Sequence, residues 1–118
     1  MPENSFPSSH RLLKSDDFNV VFDQRDYSVS NKSILVLASR NSLGFNRLGM
    51  IVGKKSLPHA VDRNRMKRHI RECFRHMNQI GLDVIALVRP SIRDRSYKKP
   101  REMISLLLHS LEEKASRD

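Results

Sequence analysis

The sequence predicts a single α+β domain, a two-layer α/β sandwich in which helices pack on a mixed β-sheet. The first observation is length, because 118 residues make about one domain. The second is periodicity: apolar residues recur at helical spacing in three segments and form short, strand-like runs in three others. These segments follow the order α-β-β-α-β-α, which indicates one sheet covered by helices. We expect the domain to span residues 11–115, between a flexible tail over 1–10 and a C-terminal tail over 116–118.

The first helix is predicted over Ser15–Arg25. Its first residue is a favourable N-cap, and two aspartates follow at the positive end of the helix dipole. Phe18 and Phe22 lie one turn apart and therefore on one face. That face could pack in the core or offer a stacking platform for single-stranded nucleotides, and the residues alone leave both interpretations open.

Two strands should follow the first helix, over Lys32–Ser39 and Arg47–Gly53. The first contains the apolar run Ile34–Ala38. The turn between them contains Gly44 and asparagines, which tolerate turn conformations. A further short strand near Ser28–Asn31 would extend the sheet.

Positive charge is concentrated in the middle of the chain. The sequence has 22 Lys and Arg against 13 Asp and Glu, a formal net charge of +9. Residues 40–79 hold ten basic and two acidic side chains, whereas residues 1–39 hold four and five. A local concentration of charge attracts phosphate groups and releases their counterions. A nucleic acid is therefore the favoured partner, and a membrane is not, because the basic segment lacks the apolar face of interfacial helices.

The longest predicted helix, Arg63–Gln79, carries much of this charge. Asp62 should cap its start and Gly81 should close its end. Apolar residues recur along one side of this helix: Met66, Ile70, Cys73, Phe74 and Met77. The candidate nucleic-acid contacts lie on the other side, on the flanks and in the preceding loop: Lys54, Lys55, Arg63, Asn64, Arg65, Lys67, Arg68 and Arg71. Acidic i,i+4 partners are nearly absent, which favours binding over a merely solvated surface.

The last two elements complete the sheet and its cover. Leu82–Arg89 should be a third strand, and its continuous apolar run indicates burial on both faces. Pro100 can open a final helix. The buried stripe of that helix is expected at Met103, Leu107, Leu108 and Leu111.

Several other chemistries are disfavoured by spacing. Gly53 and the lysines after it lack the spacing of a phosphate-binding loop. His69, Cys73 and His76 share one side of a helix, but no fourth ligand completes a zinc site, and Cys73 is on the apolar side. The acidic residues do not cluster as a two-metal nuclease requires. We therefore expect neither catalytic residues nor metal ligands in this protein.

A cytoplasmic location is expected. The longest apolar run, Ile34–Ala38, is far short of the ~20 residues that cross a bilayer. Residues 1–10 lack the basic start and apolar stretch of a secretory signal. The single cysteine cannot form an internal disulfide, which is typical of a reducing compartment.

Three stretches resemble the bacterial ribonuclease P protein subunit. They are Arg11–Phe22, Arg47–Lys55 and Ala60–Glu72, and together they cover most of residues 10–90 in the family's order. The most specific part is Arg63-Asn64-Arg65 with the following Lys67-Arg68. Pro58-His59 stand where members often carry Gly-Asn, and Leu37 stands where an aromatic residue is common.

The resemblance implies an RNA-binding domain that assembles with a catalytic RNA and helps remove the 5′ leader from precursor tRNA. The RNA would carry the hydrolysis with Mg²⁺, and the protein alone would bind no cofactor and need no protein partner. The helix with Arg63, Asn64 and Arg65 would contact the catalytic RNA, and a cleft lined by Phe18 and Phe22 would hold the leader. The family fold also implies a left-handed β-α-β crossover. The alternatives are a general RNA-binding or ribosome-associated protein, a DNA-binding helix module and an autonomous nuclease.

Overall fold

The computed structural model describes residues 15–90 and 99–117. Within them lie three helices and four strands: α1 (Ser15–Gln24), β1 (Tyr27–Ser30), β2 (Ile34–Arg40), β3 (Arg47–Val52), α2 (Ala60–Arg75), β4 (Leu82–Val88) and α3 (Pro100–Ser116). All six predicted elements are present, and β1 occupies the position of the additional short strand. The expected N-terminal tail lies outside the described residues, and α3 extends one residue into the expected C-terminal tail.

The four strands form one mixed sheet in the order β1-β2-β4-β3. β1 pairs with β2 and β2 with β4 in antiparallel fashion, whereas β3 and β4 are parallel. Parallel neighbours need a crossover connection, and α2 supplies it. The structure therefore contains the β-α-β unit that the family resemblance implies, and its left-handed sense stays a prediction.

The main core lies between the sheet and the α2–α3 pair. Residues of β2 and β4 alternate between the two faces of the sheet, as strand geometry requires. Those that face α2 and α3 are buried with the apolar stripes of both helices. Almost fully buried members of this core include Ile34, Val36, Leu48, Met66, Ile70, Val84 and Leu111. Sheet and helix pair make the predicted two-layer core.

α1 covers part of the opposite sheet face. Its Val21 is fully buried against Leu37 of β2 and Ile85 of β4. This contact adds a short third layer and explains why β4 is apolar from Val84 to Val88, since side chains on both of its faces are covered.

The bounds predicted for the long helix were wrong at both ends. The helix begins at Ala60 and ends at Arg75, so Asp62 lies in its first turn and His59 occupies the N-cap without a side-chain cap. The negative charge of Asp62 in the first turn still interacts favourably with the helix dipole, although Asp62 is not the N-cap residue. Gly81 has a φ of 81° and lies in the connection to β4 instead of closing the helix.

Candidate nucleic-acid interface

α2 turns its charged side to solvent. The contacts predicted on this side are exposed or partly buried and lie away from the buried stripe: Asn64, Arg65, Lys67, Arg68 and Arg71. Among the described residues no carboxylate forms an ion pair with any of these four cations. Glu72 is occupied by Arg75, whose Nη1 lies 2.8 Å from its Oε1. Four neighbouring charges without counter-charges create a surface that favours a polyanion.

Arg63 has a structural role in addition to its predicted one. Its Nη1 donates to the backbone oxygens of Leu57 and Pro58, at 2.9 and 2.8 Å. These bonds hold the loop that leads into α2. A guanidinium has five N–H donors, so the rest of the group is available for the predicted RNA contact.

Lys54 and Lys55 are exposed in the turn that follows β3. The turn is fixed beneath them, because the buried Ser56 donates its hydroxyl to the backbone oxygen of Val88 at 2.8 Å. The backbone N–H of Ser56 also donates to the carbonyl of Gly53. This tight turn presents two cations where the chain enters the charged helix.

A groove lies beside α1 on the sheet face that this helix covers only in part. It has a volume of about 330 Å³ and is lined by Phe18, Asn19, Phe22 and Ile51. Phe18 is partly buried against the small core cluster beneath α1, whereas Phe22 is 37% exposed. The two interpretations of this pair therefore divide between its members: Phe18 contributes to packing, and Phe22 offers an accessible ring.

Three aliphatic residues beyond α1 were missed by sequence reasoning. Leu35 and Ile51 each pair with Leu87, so the three form one row across β2, β4 and β3. All three are only partly buried. Strand register is the signal that finds this row. Leu37, in contrast, is buried beneath α1 at 2% exposure and does not line the groove.

One cation of the basic segment is used inside the fold. The Nε and Nη2 of Arg47 bind the two carboxylate oxygens of Asp83 at 2.8 and 2.7 Å. Asn41 also donates to Asp83, and Asp17 of α1 lies 3.5 Å from Arg47. The hydrogen bonds from Arg47 to Asp83 raise the pKa of Arg47. This network links α1 to β3 and β4 and thereby fixes the position of the groove.

His69 lies partly buried between α2 and α3. Its Nδ1 accepts a hydrogen bond from the Nε of Arg101 at 3.0 Å. The pKa of His69 is lowered by burial and then by the positive charges of Arg101, Arg65 and Arg68. The ring is therefore a neutral acceptor near neutral pH.

The neighbouring Cys73 is buried and contacts α3. Its Sγ donates to the backbone oxygen of Arg101 and accepts from the hydroxyl of Ser105, both at 3.4 Å. In the part of the chain that the structure describes, no group of three His, Cys, Asp or Glu side chains could hold a metal ion. Neither does any described helix have the length and apolar character to span a membrane.

Comparison with known proteins gives one consistent result. A family model described as ribonuclease P matches residues 6–112. The ribonuclease P protein component of Marinobacter nauticus is 42% identical over 111 residues, which are 93% of this chain and 84% of the relative. That of Alcanivorax borkumensis is 44% identical over 92 residues, or 76% of each chain.

Solved structures share the fold. The ribonuclease P protein of Staphylococcus aureus aligns with a TM-score of 0.70 at 29% identity, over 90% of this chain and 94% of that one. That of Thermotoga maritima aligns with a TM-score of 0.72 at 27% identity, over 89% and 96%. These matches confirm the predicted fold class and do not favour a general RNA-binding protein. Sequence similarity over most of the chain, together with the shared fold, shows that the chain belongs to the ribonuclease P protein family.

Proposed function

We propose that this protein acts in the cytoplasm as the protein subunit of ribonuclease P, binding the catalytic RNA through α2 and the 5′ leader of precursor tRNA through the α1 groove. The complex then removes the leader and leaves the mature 5′ end of the tRNA. The RNA carries the hydrolysis, and Mg²⁺ is a cofactor of the assembled complex. The protein supplies cations and a stacking surface.

The uncompensated charge on α2 carries this proposal. Arg65, Lys67, Arg68 and Arg71 have no ion-pair partner among the described residues, and like charges at i,i+3 and i,i+4 spacing repel one another. RNA phosphates remove that repulsion and release counterions. Because these cations lie close together on one helix, they suit a folded RNA, in which phosphates from different strands also lie close together.

Three acidic side chains near the two surfaces are already engaged. Asp83 and Asp17 contact Arg47, and Glu72 pairs with Arg75. These carboxylates therefore neutralise internal cations of the protein. This arrangement supports a binding role for the protein within the complex.

The α1 groove suits a single strand of RNA. Phe22 presents an accessible ring at its side, and the row Leu35, Leu87 and Ile51 gives the sheet beneath an apolar surface. Bases stack on such rings whatever their identity, which suits a leader of variable sequence. Lys54 follows Ile51 by three residues, about 10 Å along an extended chain, so phosphates of the same strand come within reach of a cation.

Reconstitution tests the proposal. Cleavage of precursor tRNA is measured at low Mg²⁺ with the protein alone, with the cognate catalytic RNA alone and with both. We expect rapid cleavage only with both components, because the protein brings cations to a phosphate-crowded site and thereby eases the Mg²⁺ requirement. Cleavage by the purified protein alone, or the same rate with and without the protein, would contradict the proposal.

Phe22→Ala is expected to weaken binding of precursor tRNA to the complex by about 1–3 kcal/mol, the contribution of one stacked base. Binding of mature tRNA, which has no leader, should be unchanged. Val20→Ala is the matched control, since Val20 is 45% exposed on the same helix and does not line the groove. Equal losses for precursor and mature tRNA would show that Phe22 has no specific role in leader binding.

A further inference from the structure

One histidine lies within the electrostatic influence of three arginines from two helices. Arg65 and Arg68 of α2 and Arg101 of α3 all act electrostatically on His69, which is partly buried between the helices. Arg101 itself is exposed. The charged surface of α2 therefore does not end at that helix, because a third guanidinium lies at its border with α3.

Arg101 is held in place through a single nitrogen. Its Nε donates to Nδ1 of His69 at 3.0 Å, so this nitrogen must carry no proton. Burial and the three guanidinium charges keep the imidazole neutral at physiological pH by lowering its pKa. The two Nη atoms of Arg101 carry four more N–H donors, and the edge of the guanidinium that lies between them takes no part in this bond. A guanidinium fixed at one edge loses less conformational freedom when the other edge binds an anion.

No carboxylate in the described part of the chain neutralises this group. Glu102 is adjacent to Arg101 in sequence, but its carboxylate lies 3.8 Å from Lys99. Glu72, three residues after His69 on α2, is occupied by Arg75. Hence the guanidiniums around His69 lack an anionic partner within residues 15–90 and 99–117.

We propose that Arg101, positioned by neutral His69, binds a backbone phosphate of the catalytic RNA and extends the α2 surface onto α3. This inference rests on the proposed function of α2. Arg101 contacts the RNA, and His69 acts through Arg101. The RNA-binding surface thus spans two helices of the protein, and the phosphate lies between Arg101 and the arginines of α2.

The salt dependence of RNA binding tests the contact. Affinity for the catalytic RNA is measured at several salt concentrations for the wild type, Arg101→Gln and Arg117→Gln. Arg117→Gln removes the same charge at the other end of α3, from the C-cap residue, whose side chain is 77% exposed. We expect Arg101→Gln to lower the slope of log affinity against log salt by about 0.7–0.9, the value for one phosphate, and Arg117→Gln to leave it unchanged. Equal slopes for all three proteins would overturn the proposal.

Two variants of His69 test its positioning role. His69→Leu removes the acceptor, whereas His69→Asn keeps an acceptor oxygen near the place of Nδ1. We expect His69→Leu to lower the salt slope as Arg101→Gln does, with no further loss in the double variant, and His69→Asn to restore the slope. Equal slopes for His69→Leu and His69→Asn would show that His69 does not position Arg101.

Arg65→Gln separates this inference from the proposed function. If Arg65→Gln lowers the slope and Arg101→Gln does not, α2 binds the RNA and the extension onto α3 is wrong. If neither variant changes the slope, the RNA-binding role of α2 is itself wrong. A thermal melt of each variant confirms that it is folded before binding is compared.

Discussion

Replacement of Arg65, Arg68 and Arg71 by glutamine in one variant is expected to weaken binding of the catalytic RNA by about 100- to 1,000-fold. The three side chains lie along one side of α2, Arg65 and Arg68 exposed and Arg71 partly buried, and have no ion-pair partner among the described residues. This loss corresponds to about 0.9–1.4 kcal/mol for each of the three contacts, since a tenfold change in affinity is about 1.4 kcal/mol. The slope of log affinity against log salt should fall by about 2–3, since each lost phosphate contact removes about 0.7–0.9.

Loss of folding would give a different result in the same variant. The three arginines repel one another at i,i+3 spacing, by a few tenths of a kcal/mol per pair. Their replacement should therefore leave the melting temperature unchanged or raise it slightly. A lower melting temperature together with weaker RNA binding would mean that the variant is destabilised. That result would contradict a direct contact between these arginines and the RNA.

A charge-matched variant provides the control. Arg25, Lys114 and Arg117 are exposed and lie outside α2, so their joint replacement by glutamine removes the same net charge. We expect little change in the salt slope, because dispersed charges act at distances that salt screens. Equal effects of the two triple variants would mean that net charge, and not the position of the α2 arginines, determines RNA affinity.

The two sides of α2 could be predicted from sequence because both lie within one continuous segment. A period of 3.6 residues places Met66, Ile70 and Phe74 together, and the structure buries all three. The start of the helix was missed because it depends on contacts outside the periodic pattern. Arg63 reaches back to the carbonyls of Leu57 and Pro58, and the chain is already helical from the third residue before it.

The groove was only partly predictable, because it is assembled from separate elements. Helical spacing put Phe18 and Phe22 on one face, but their burial depends on where α1 crosses the sheet. Leu35, Ile51 and Leu87 become neighbours only through strand pairing. A single sequence does not reveal that register.

Charge counting also overestimates the cations that are available for RNA. Arg47 belongs to the basic segment, yet its guanidinium is bound by Asp83, which is 36 residues away in sequence. Arg40 likewise donates to the hydroxyl of Tyr27 and to the backbone oxygen of Ala115. Which cations face solvent is decided by tertiary partners, so the candidate interface needed the fold.

Asn46→Ala is expected to lower the free energy of unfolding by about 3–5 kcal/mol. Asn46 is fully buried, and its Oδ1 accepts from the backbone N–H groups of Ile80, Gly81 and Leu82 at 3.1–3.2 Å. Its Nδ2 donates to the backbone oxygen of Asn78 at 2.8 Å. Alanine leaves these backbone groups without a partner, and each buried unsatisfied group costs about 1–3 kcal/mol.

Thermal unfolding measures this effect, and the melting temperature should fall by more than about 10 °C. Asn78→Ala is the matched control: among the described residues its side chain hydrogen-bonds only to Glu112, in a solvent-exposed contact, so we expect the free energy of unfolding to fall by less than about 1 kcal/mol. A loss that small for Asn46→Ala would mean that water satisfies the freed groups. The hydrogen-bond partners of Asn46 among the described residues all lie in residues 78–82, the connection between α2 and β4 and the start of β4. The folded fraction of Asn46→Ala should therefore bind the catalytic RNA with wild-type salt dependence. That result would separate the stability of the fold from the charges that recognise RNA.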